Sequence, residues 1–450
     1  MAGGRFDKSV GKVRPGTYTN FESSRQETTS ASERGTVILP LMNADYGPAG
    51  EFLTIYNSSP DAQKAKLGYS IFDNDKNGNM LLIREAMKGA STIIAYICNE
   101  NLAAATGTGG GLNATAKYKG ERGNALEYSV VENPMEGFDV SVFLEDTKVE
   151  FYENITKAEE LAESEYITFS QKDGEEISAI AGVKLQGGTN ESTKNGDITA
   201  FLDKSENIPW NTMAFPVEDN ELHTALKTKI KHMREDMGKG VQAVAPDFKA
   251  DYEGIINLTN SYAINDRKLT TAQATAYVAG ITAGASDIES NTYRPIDGAT
   301  QIIGEKTHEE AVAAIKAGEF FFSVSEEGKI VVEYDINSLT TFAKPKDKTY
   351  AKNRVIRVFD TFQELIQVNF PPNKFDNNSD GWDIMEGIGR SLLKKKGPRS
   401  DGGTGALKNV NYQADFKVDR GASSGDETFF NVGLEPVDSA EKLYFTIRTR

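Results

Sequence analysis

Cysteine is almost absent from this chain, which has one, Cys98, among 450 residues, together with only three histidines. A single cysteine excludes an intrachain disulfide, so we expect a protein made in a cytosol whose assembly is noncovalent. The sequence has no apolar run of about 18 residues, the length that would predict a transmembrane helix. Its first residues, "MAGGRFDKSVGKVRPG", lack the apolar stretch of a signal peptide.

Basic residues are outnumbered by acidic ones. The chain has 50 basic and 66 acidic residues, a net charge of −16 at pH 7. A chain this acidic is not expected to bind nucleic acid in general or to insert into an anionic membrane. The remaining composition, with 38% hydrophobic residues, is ordinary for a soluble globular protein.

The length predicts about three domains. Changes in the pattern of predicted strands and helices along the sequence suggest where the domains meet. Short alternating strands such as "FDVSVFLED" fill the middle and predict a β-sandwich, whereas strands and helices alternate before and after it. We therefore expect a mixed α/β and α+β multidomain fold. The expected parts are an N-terminal arm (1–25), the first part of an α/β core (26–105), an inserted β-sandwich (106–188), a central α/β domain (189–345) and a C-terminal α+β domain (346–450).

Several local patterns add detail to this division. "TGTGGGLNATA" is interpreted as a glycine-rich linker and "LQGGTNESTKNGD" as a second loose joint. "TTAQATAYVAGITAGA" predicts a helix of small residues that could pack closely. "ELHTALKTKIKHMREDMG" predicts a helix with one apolar face. That face carries Leu222, Leu226, Ile230, Met233 and Met237.

One stretch imitates a metal site. Asp73, Asp75, Asn77 and Gly78 match positions 1, 3, 5 and 6 of a calcium-binding loop, but position 12, which must supply a carboxylate, is Arg84. We therefore favour a plain turn. The calcium site remains the basis of one alternative function, a multidomain calcium-dependent hydrolase.

The other chemical patterns are weaker. "GASSG" at 421–425 lacks a following helix and a later histidine, and "GTGGG" at 107–111 lacks the lysine of a phosphate-binding loop. His223, His232 and His308 have no metal-ligand spacing and are interpreted as surface or cap residues. We expect no catalytic residue, no metal and no cofactor, which makes a structural protein the leading class.

The last residues form a further pattern. Leu443, Phe445 and Ile447 alternate with polar residues, which predicts a half-buried strand in an arm of about 441–450. The sequence leaves open whether this strand completes the chain's own sheet or is donated to another copy. A basic run, Lys394 to Lys396 followed by Arg399, ends a predicted helix, and it either interacts with the helix dipole or binds a partner.

A resemblance bears on both questions. "GTYTNFESS", "LLIREAMKGASTIIAYICN" and "RVIRVFDTFQELI" resemble segments of contractile bacteriophage tail sheath proteins, although that family often has a basic residue where this chain has "AYICN". The most specific match is "GLEPVDSAEKLYFTI", which is similar to the closing signature of the family. This signature contains Pro436, Val437, Asp438, Glu441, Lys442, Leu443 and Tyr444.

The resemblance implies a fold and a role for each part. It implies a core like that of subtilisin without its catalytic triad, an inserted β-sandwich, and a C-terminal domain nearest the tail tube. It implies that both arms add strands to neighbouring subunits, and that the basic run faces the tube. The residues concerned are Val13, Tyr18 and Phe21 in the first arm, Leu443, Phe445 and Ile447 in the last, and Lys394, Lys395, Lys396 and Arg399 at the tube.

The implied function is mechanical. Copies would polymerise as stacked hexameric rings around a tail tube and contract to drive the tube through a cell envelope, without nucleotide. The implied partners are other copies, the tube protein, and the baseplate and tail terminator proteins. The implied location is the tail of a virion or phage-tail-like particle whose subunits are made in the host cytoplasm.

Overall fold

The computed structural model describes residues 2–4, 16–18 and 34–449. In its first part, strand β1 (Ala2–Gly4) pairs in parallel with strand β2 (Gly16–Tyr18). Tyr18 is thus the last residue of β2. The other two residues predicted for the N-terminal arm, Val13 and Phe21, lie outside the described residues.

The core begins with a β/α segment. Its elements are β3 (Thr36–Leu41), β4 (Phe52–Tyr56), a 3₁₀ turn (Pro60–Gln63), α1 (Lys64–Leu67), α2 (Asn79–Met87) and β5 (Thr92–Ile97). The runs "TVILPL" and "TIIAYI" form β3 and β5, as their continuous apolar character predicts for strands covered on both faces. They pair in parallel with each other, and β4 lies antiparallel against β5.

An insert of short strands follows. It consists of β6 (Thr106–Gly109), β7 (Leu112–Ala116), a 3₁₀ turn (Glu121–Ala125), β8 (Leu126–Glu132), β9 (Phe138–Leu144), β10 (Thr147–Ile155), a 3₁₀ turn (Ala158–Leu161), β11 (Ile167–Gln171) and β12 (Ile180–Lys184). The strands form a four-stranded sheet, β10-β9-β8-β12, and a three-stranded sheet, β11-β7-β6. Alternate side chains of both sheets enclose an apolar core of their own that includes Tyr128, Val140 and Val142.

The prediction of a flexible glycine-rich linker at 106–116 is wrong. This segment is a hairpin in which β6 and β7 pair from Thr106 opposite Thr115 to Gly109 opposite Leu112. Gly110 and Gly111 form its two-residue turn with φ angles of +61° and +75°, a conformation that favours glycine. The glycines therefore mark a tight turn within a sheet rather than a loose joint.

The two crossings between core and insert are also fixed in place. Asn99 and Asn101 are buried, and the Asn99 side chain exchanges hydrogen bonds with the backbone of Ala44 at 2.7 and 2.8 Å. Asn101 accepts from the Glu191 amide at 3.1 Å, so the outgoing chain is tied to the returning chain. The second loose joint predicted from "LQGGTNESTKNGD" is therefore wrong as well.

After the insert the chain returns to the core. Its elements are α3 (Asn195–Ser205), β13 (Thr212–Ala214), α4 (Asn220–Glu235), β14 (Gln242–Pro246), β15 (Ile255–Leu258), β16 (Ser261–Ile264), β17 (Arg267–Lys268), α5 (Thr271–Gly284), β18 (Ala299–Ile303), α6 (His308–Lys316), β19 (Glu319–Phe320), β20 (Phe322–Val324) and β21 (Ile330–Val332). The core sheet has seven strands in the order β19-β15-β14-β13-β3-β5-β4. Because β13 lies beside β3, segments on both sides of the insert build one sheet.

Helices cover both faces of this sheet. On one face α4 buries Leu222, Leu226, Ile230 and Met233 as its spacing predicts, but Met237 lies beyond the helix and is 38% exposed. On the other face α5 packs against α2. A Cβ atom at Gly280 would overlap the Ala86 carbonyl oxygen, which confirms that this helix of small residues packs closely.

The C-terminal part contains two long helices and a small hairpin. Its elements are a 3₁₀ turn (Lys348–Ala351), α7 (Asn353–Asn369), α8 (Ser379–Lys396), a 3₁₀ turn (Arg399–Asp401), β22 (Phe416–Val418) and β23 (Phe430–Val432). Val358, Phe362, Leu393 and Phe416 lie in a separate apolar cluster between these elements. Within the described parts of the chain, no helix has the length and apolar character needed to cross a membrane.

Candidate functional site

Residues 435–437 form backbone hydrogen bonds with the C-terminal part, just before the exposed last segment of the chain begins. Leu407 forms a β-bridge with Pro436. The Val437 amide donates to the Ala406 carbonyl at 2.9 Å, and the Lys408 amide donates to the Glu435 carbonyl at 2.9 Å. These backbone bonds fix the direction in which the chain leaves the body of the protein.

Within the described chain, Glu441 is the last residue held by both hydrogen bonds and an ion pair. Its carboxylate accepts hydrogen bonds from Ser290 at 2.9 Å and Thr292 at 2.7 Å, and it forms an ion pair with Lys352. The Lys352 ammonium also lies 4.0 Å from the centre of the Tyr334 ring. Burial opposes the charge on this ammonium, but the Glu441 carboxylate outweighs burial and raises the pKa of Lys352. Lys352 therefore stays protonated at neutral pH.

A second ion pair lies beneath this attachment. Arg357 donates to Asp335 at 2.8 Å, and both side chains are fully buried. The Asn291 amide and the Asn353 side chain also donate to Asp335, at 3.0 and 2.9 Å. Burial alone would raise the pKa of Asp335, but the guanidinium and these donors lower it. Because Asp335 follows β21 and Arg357 lies on α7, the pair joins the core to the C-terminal part.

Beyond Glu441 the side chains face solvent. Leu443 is 66% exposed, Phe445 81% and Ile447 89%. Residues 441–449 belong to no strand of the described chain. Three apolar side chains at alternate positions are thus presented outward from a segment whose base is fixed at Glu441.

The β22–β23 hairpin has an incomplete surface. It contains two strands only, and Phe416 and Val418 of β22 are buried. Phe430 and Val432 of β23 pack against the same apolar cluster but are only partly buried. The outer edge of β23 is therefore a place where another strand could add backbone hydrogen bonds and apolar cover.

The basic run at the end of α8 divides into two kinds of residue. Lys396 forms an ion pair with Asp287 at 2.6 Å and is largely covered. Lys394, Lys395 and Arg399 are exposed, and the Arg399 side chain also donates to the Thr404 carbonyl at 3.3 Å. Of the four cations in this run, Lys394, Lys395 and Arg399 are therefore the ones exposed at the surface of the described chain.

The segment that resembles a calcium loop uses its groups internally. Asp75 accepts from the amides of Asn79 and Met80 at 2.8 and 2.9 Å, and so fixes the start of α2. Arg84 donates to the carbonyls of Ile71 and Asp73, both at 2.6 Å. In the described ranges, no cluster of His, Cys, Asp or Glu side chains has the geometry to hold a metal ion.

The interpretation of His223 as a surface or cap residue is wrong. The imidazole is buried, stacks on Phe248 at 4.7 Å, and lies 2.6 Å through Nε2 from the Val217 carbonyl oxygen. Burial lowers its pKa. His232 fits the prediction, because it is partly exposed and pairs with Asp236, and His308 is the exposed first residue of α6.

Comparison with known proteins decides the class. Family models match four successive stretches: "Tail sheath protein Gp18 domain III N-terminal region" at 34–96, "Phage tail sheath protein beta-sandwich domain" at 99–190, "Phage tail sheath protein central domain" at 191–338 and "Phage tail sheath C-terminal domain" at 345–450. "Phage-like element PBSX protein XkdK" of Bacillus subtilis (strain 168) is 33% identical over an alignment that covers 99% of each chain. This chain belongs to the phage tail sheath protein family.

Solved structures agree with this assignment. The sheath tail protein of Desulfitobacterium hafniense is 34% identical, with a TM-score of 0.80 over 97% of this chain and 100% of that chain. The helical sheath of the anti-feeding prophage in its contracted state is 16% identical, with a TM-score of 0.54 over 98% and 100% of the two chains, and shows the shared fold. The chain is a structural subunit of a contractile tail sheath.

The geometry gives the sheath signature a physical meaning. Asp438 lies 3.9 Å from Lys352, Ser439 accepts from Arg354 at 2.6 Å, and Glu441 completes the attachment. Sequence reasoning recognised the acidic residues of the signature but not their partner Lys352, which stands immediately before α7. A lone lysine at the start of an apolar helix carries no periodic signal, so only the folded chain brings it to Glu441.

Proposed function

We propose that the sheath subunit donates residues 443–450 as a strand to a neighbouring copy. The observation that carries this proposal is the exposure of Leu443, Phe445 and Ile447 directly after a firmly held Glu441. A strand of the chain's own sheet would cover these side chains. An anchored segment with its apolar face turned outward is suited to a partner of the same sequence, because every copy carries both the strand and the site that receives it.

The receiving site in this proposal is the open edge of β23. Strand addition there would satisfy backbone groups, each bond contributing roughly 1 kcal/mol net. Covering Leu443, Phe445 and Ile447 would add about 1.5–3 kcal/mol for each side chain that becomes fully buried. The partly buried Phe430 and Val432 are the side chains that such a strand would cover.

The test compares two charged substitutions of neighbouring residues. Phe445→Asp places a carboxylate on the apolar side of the arm, and Thr446→Asp places the same charge on the opposite side. We expect Phe445→Asp to abolish long sheath in electron micrographs, and Thr446→Asp to have little effect. Both chains should keep the melting temperature of the unassembled subunit, because both positions are exposed.

Deletion of residues 443–450 is the complementary experiment. If the arm is donated, the shortened chain should stay folded and form no long sheath. Full-length sheath from the shortened chain, or a grossly unfolded subunit, would contradict the proposal.

The assembly that we propose around this contact is a stack of hexameric rings on a tail tube, ending at baseplate and terminator proteins. Contraction would drive the tube through a cell envelope, and the subunits would be made in the host cytoplasm. Family membership and the fold shared with a contracted helical sheath support this proposal. We also propose that the core is related to subtilisin and has no enzymatic activity; a mostly parallel sheet covered by helices on both faces supports the first part.

We further propose that Lys394, Lys395 and Arg399 face the tube. They are exposed cations on a strongly acidic chain, whereas Lys396, included in the same sequence prediction, is held by Asp287. Changing Lys394 and Lys395 to Glu should leave sheath formation intact and weaken co-purification with tube. A matched control changes two exposed lysines of the core, Lys268 and Lys316, to Glu. Equal tube binding by both double variants would contradict this assignment.

A further inference from the structure

A cleft lined by both apolar and charged side chains lies on the core, far in sequence from either arm. It has a volume of about 550 Å³ and is formed by α2 on one side and the turn between β16 and β17 on the other. Leu81 and Ile264 lie among its lining residues, together with three cationic side chains, Arg84, Lys88 and Arg267. Nothing in the proposed arm exchange uses this cleft.

Two guanidinium groups meet inside it. Arg84 and Arg267 both donate to the side-chain oxygen of Asn74, at 3.2 and 3.0 Å. Arg84 also donates to the backbone carbonyls of Ile71 and Asp73. Throughout the part of the chain that the structure describes, neither guanidinium forms an ion pair with a carboxylate. Two positive groups thus share one neutral oxygen atom.

Of the acidic groups nearby, Glu85 and Asp75 are engaged by other partners, and Asp266 and Asp297 form no ion pair with either guanidinium in the described chain. Glu85 pairs with Lys88 at 2.9 Å, and Asp75 is engaged by the amides at the start of α2. Asp266 and Asp297 lie exposed among the lining residues. A guanidinium carries five N–H donors in a planar fork, so Arg84 and Arg267 both keep donors for a further acceptor.

We propose that this cleft binds a carboxylate of a second copy of the chain. Because Asn74 holds the two guanidinium groups side by side, their remaining donors can bind a planar oxyanion together. The subunit carries 66 acidic residues against 50 basic ones, so a second copy is a plentiful source of carboxylates. The inference rests on the self-assembly of the chain but is independent of the arm.

The experiment compares Arg267→Gln with Lys268→Gln in the full chain. Both changes remove one positive charge at adjacent residues of β17, but only Arg267 reaches Asn74. We expect Arg267→Gln to raise the concentration needed for sheath formation at least several-fold over Lys268→Gln. We expect Arg267→Lys, which keeps the charge but loses the planar fork, to fall between Arg267→Gln and the unchanged chain. Thermal unfolding of the unassembled variants checks that all are folded.

Inorganic phosphate is the competing probe. Added phosphate should inhibit assembly of the unchanged chain more than an equal ionic strength of chloride does, and this difference should vanish in Arg267→Gln. Equal assembly of Arg267→Gln and Lys268→Gln overturns the proposal. If, in that case, phosphate binds the unchanged chain but not Arg267→Gln, the cleft binds a free anion and not a carboxylate of a neighbouring copy. Failure of the arm proposal is recognised separately, because it would appear as normal sheath from the chain lacking 443–450.

Discussion

Replacing Asp335 by Asn would test how the C-terminal part is joined to the core. The substitution keeps the shape of the side chain but removes the charge that faces Arg357. Arg357 is fully buried, and two of its nitrogen atoms, Nε and Nη1, have no hydrogen-bond partner in the described chain. Leaving a buried charge without its counterion typically costs about 3–5 kcal/mol of unfolding free energy. We expect Asp335→Asn to lower the unfolding free energy of the subunit by about this amount.

The assay is urea unfolding of the unassembled subunit, followed by tryptophan fluorescence. Trp210 lies in the core and Trp382 lies on α8, so a Trp210→Phe background reports on the C-terminal part alone. Asp383→Asn is the matched control, because Asp383 pairs with Arg420 at the surface and is 64% exposed. If Asp335→Asn destabilises the subunit no more than Asp383→Asn does, the Asp335–Arg357 pair does not hold the C-terminal part to the core.

The same pair predicts a dependence on pH. The folded-state pKa of Asp335 is lowered, so its contribution to stability is fully present above the ordinary aspartate pKa of about 3.9. It is lost as the pH falls from there through the lower folded-state pKa. Asp335→Asn should therefore remove part of the decline in stability below about pH 4. If the unfolding free energy of the variant declines below pH 4 as steeply as that of the unchanged chain, carboxylates other than Asp335 cause the decline.

Three further predictions concern other contacts. Gly280→Ala should cost about 1–3 kcal/mol of unfolding free energy, because its methyl group would overlap the Ala86 carbonyl oxygen and force α5 away from α2; urea unfolding measures this. Glu441→Gln should shorten sheaths in electron micrographs more than Glu435→Gln does, since Glu441 binds Lys352 whereas Glu435 pairs with the exposed Lys408. Calorimetry at neutral pH should detect no calcium binding in the micromolar range, because Arg84 fills the loop that resembles a calcium site.

The sequence predicted what depends on periodicity. Continuous apolar runs located β3 and β5, and the spacing of Leu222, Leu226 and Ile230 located the buried face of α4. Predictions based on composition failed. Glycines at 107–111 suggested a linker, but their positive φ angles serve a hairpin turn. His223 carries no local sign that it is buried, because Phe248 reaches it from another element.

The predictions for the site divide in the same way. Alternation identified the apolar positions of the arm, but the half-buried strand that it predicted is absent from residues 441–449, where Leu443, Phe445 and Ile447 are exposed. A local run of charge identified Lys394 and Lys395, which are exposed, and their role at the tube stays a prediction. Charge alone could not tell that Lys396 belongs to an internal pair, because Asp287 is distant in sequence. The anchor of the arm was missed for the same reason, since Lys352 meets Glu441 only after the core and the C-terminal part have packed together.

The way the insert is attached makes it an exchangeable module. Its two ends meet in one β-bridge, Ala103 with Thr189, so a replacement needs to span almost no distance. The chain entropy lost on closing this gap grows only slowly with the length of the replacement. A subunit in which a short turn replaces residues 104–188 should therefore keep its seven-stranded sheet, as circular dichroism and Trp210 fluorescence would show. The same junction could carry a foreign domain without a change to the sheet, the anchor or the arm.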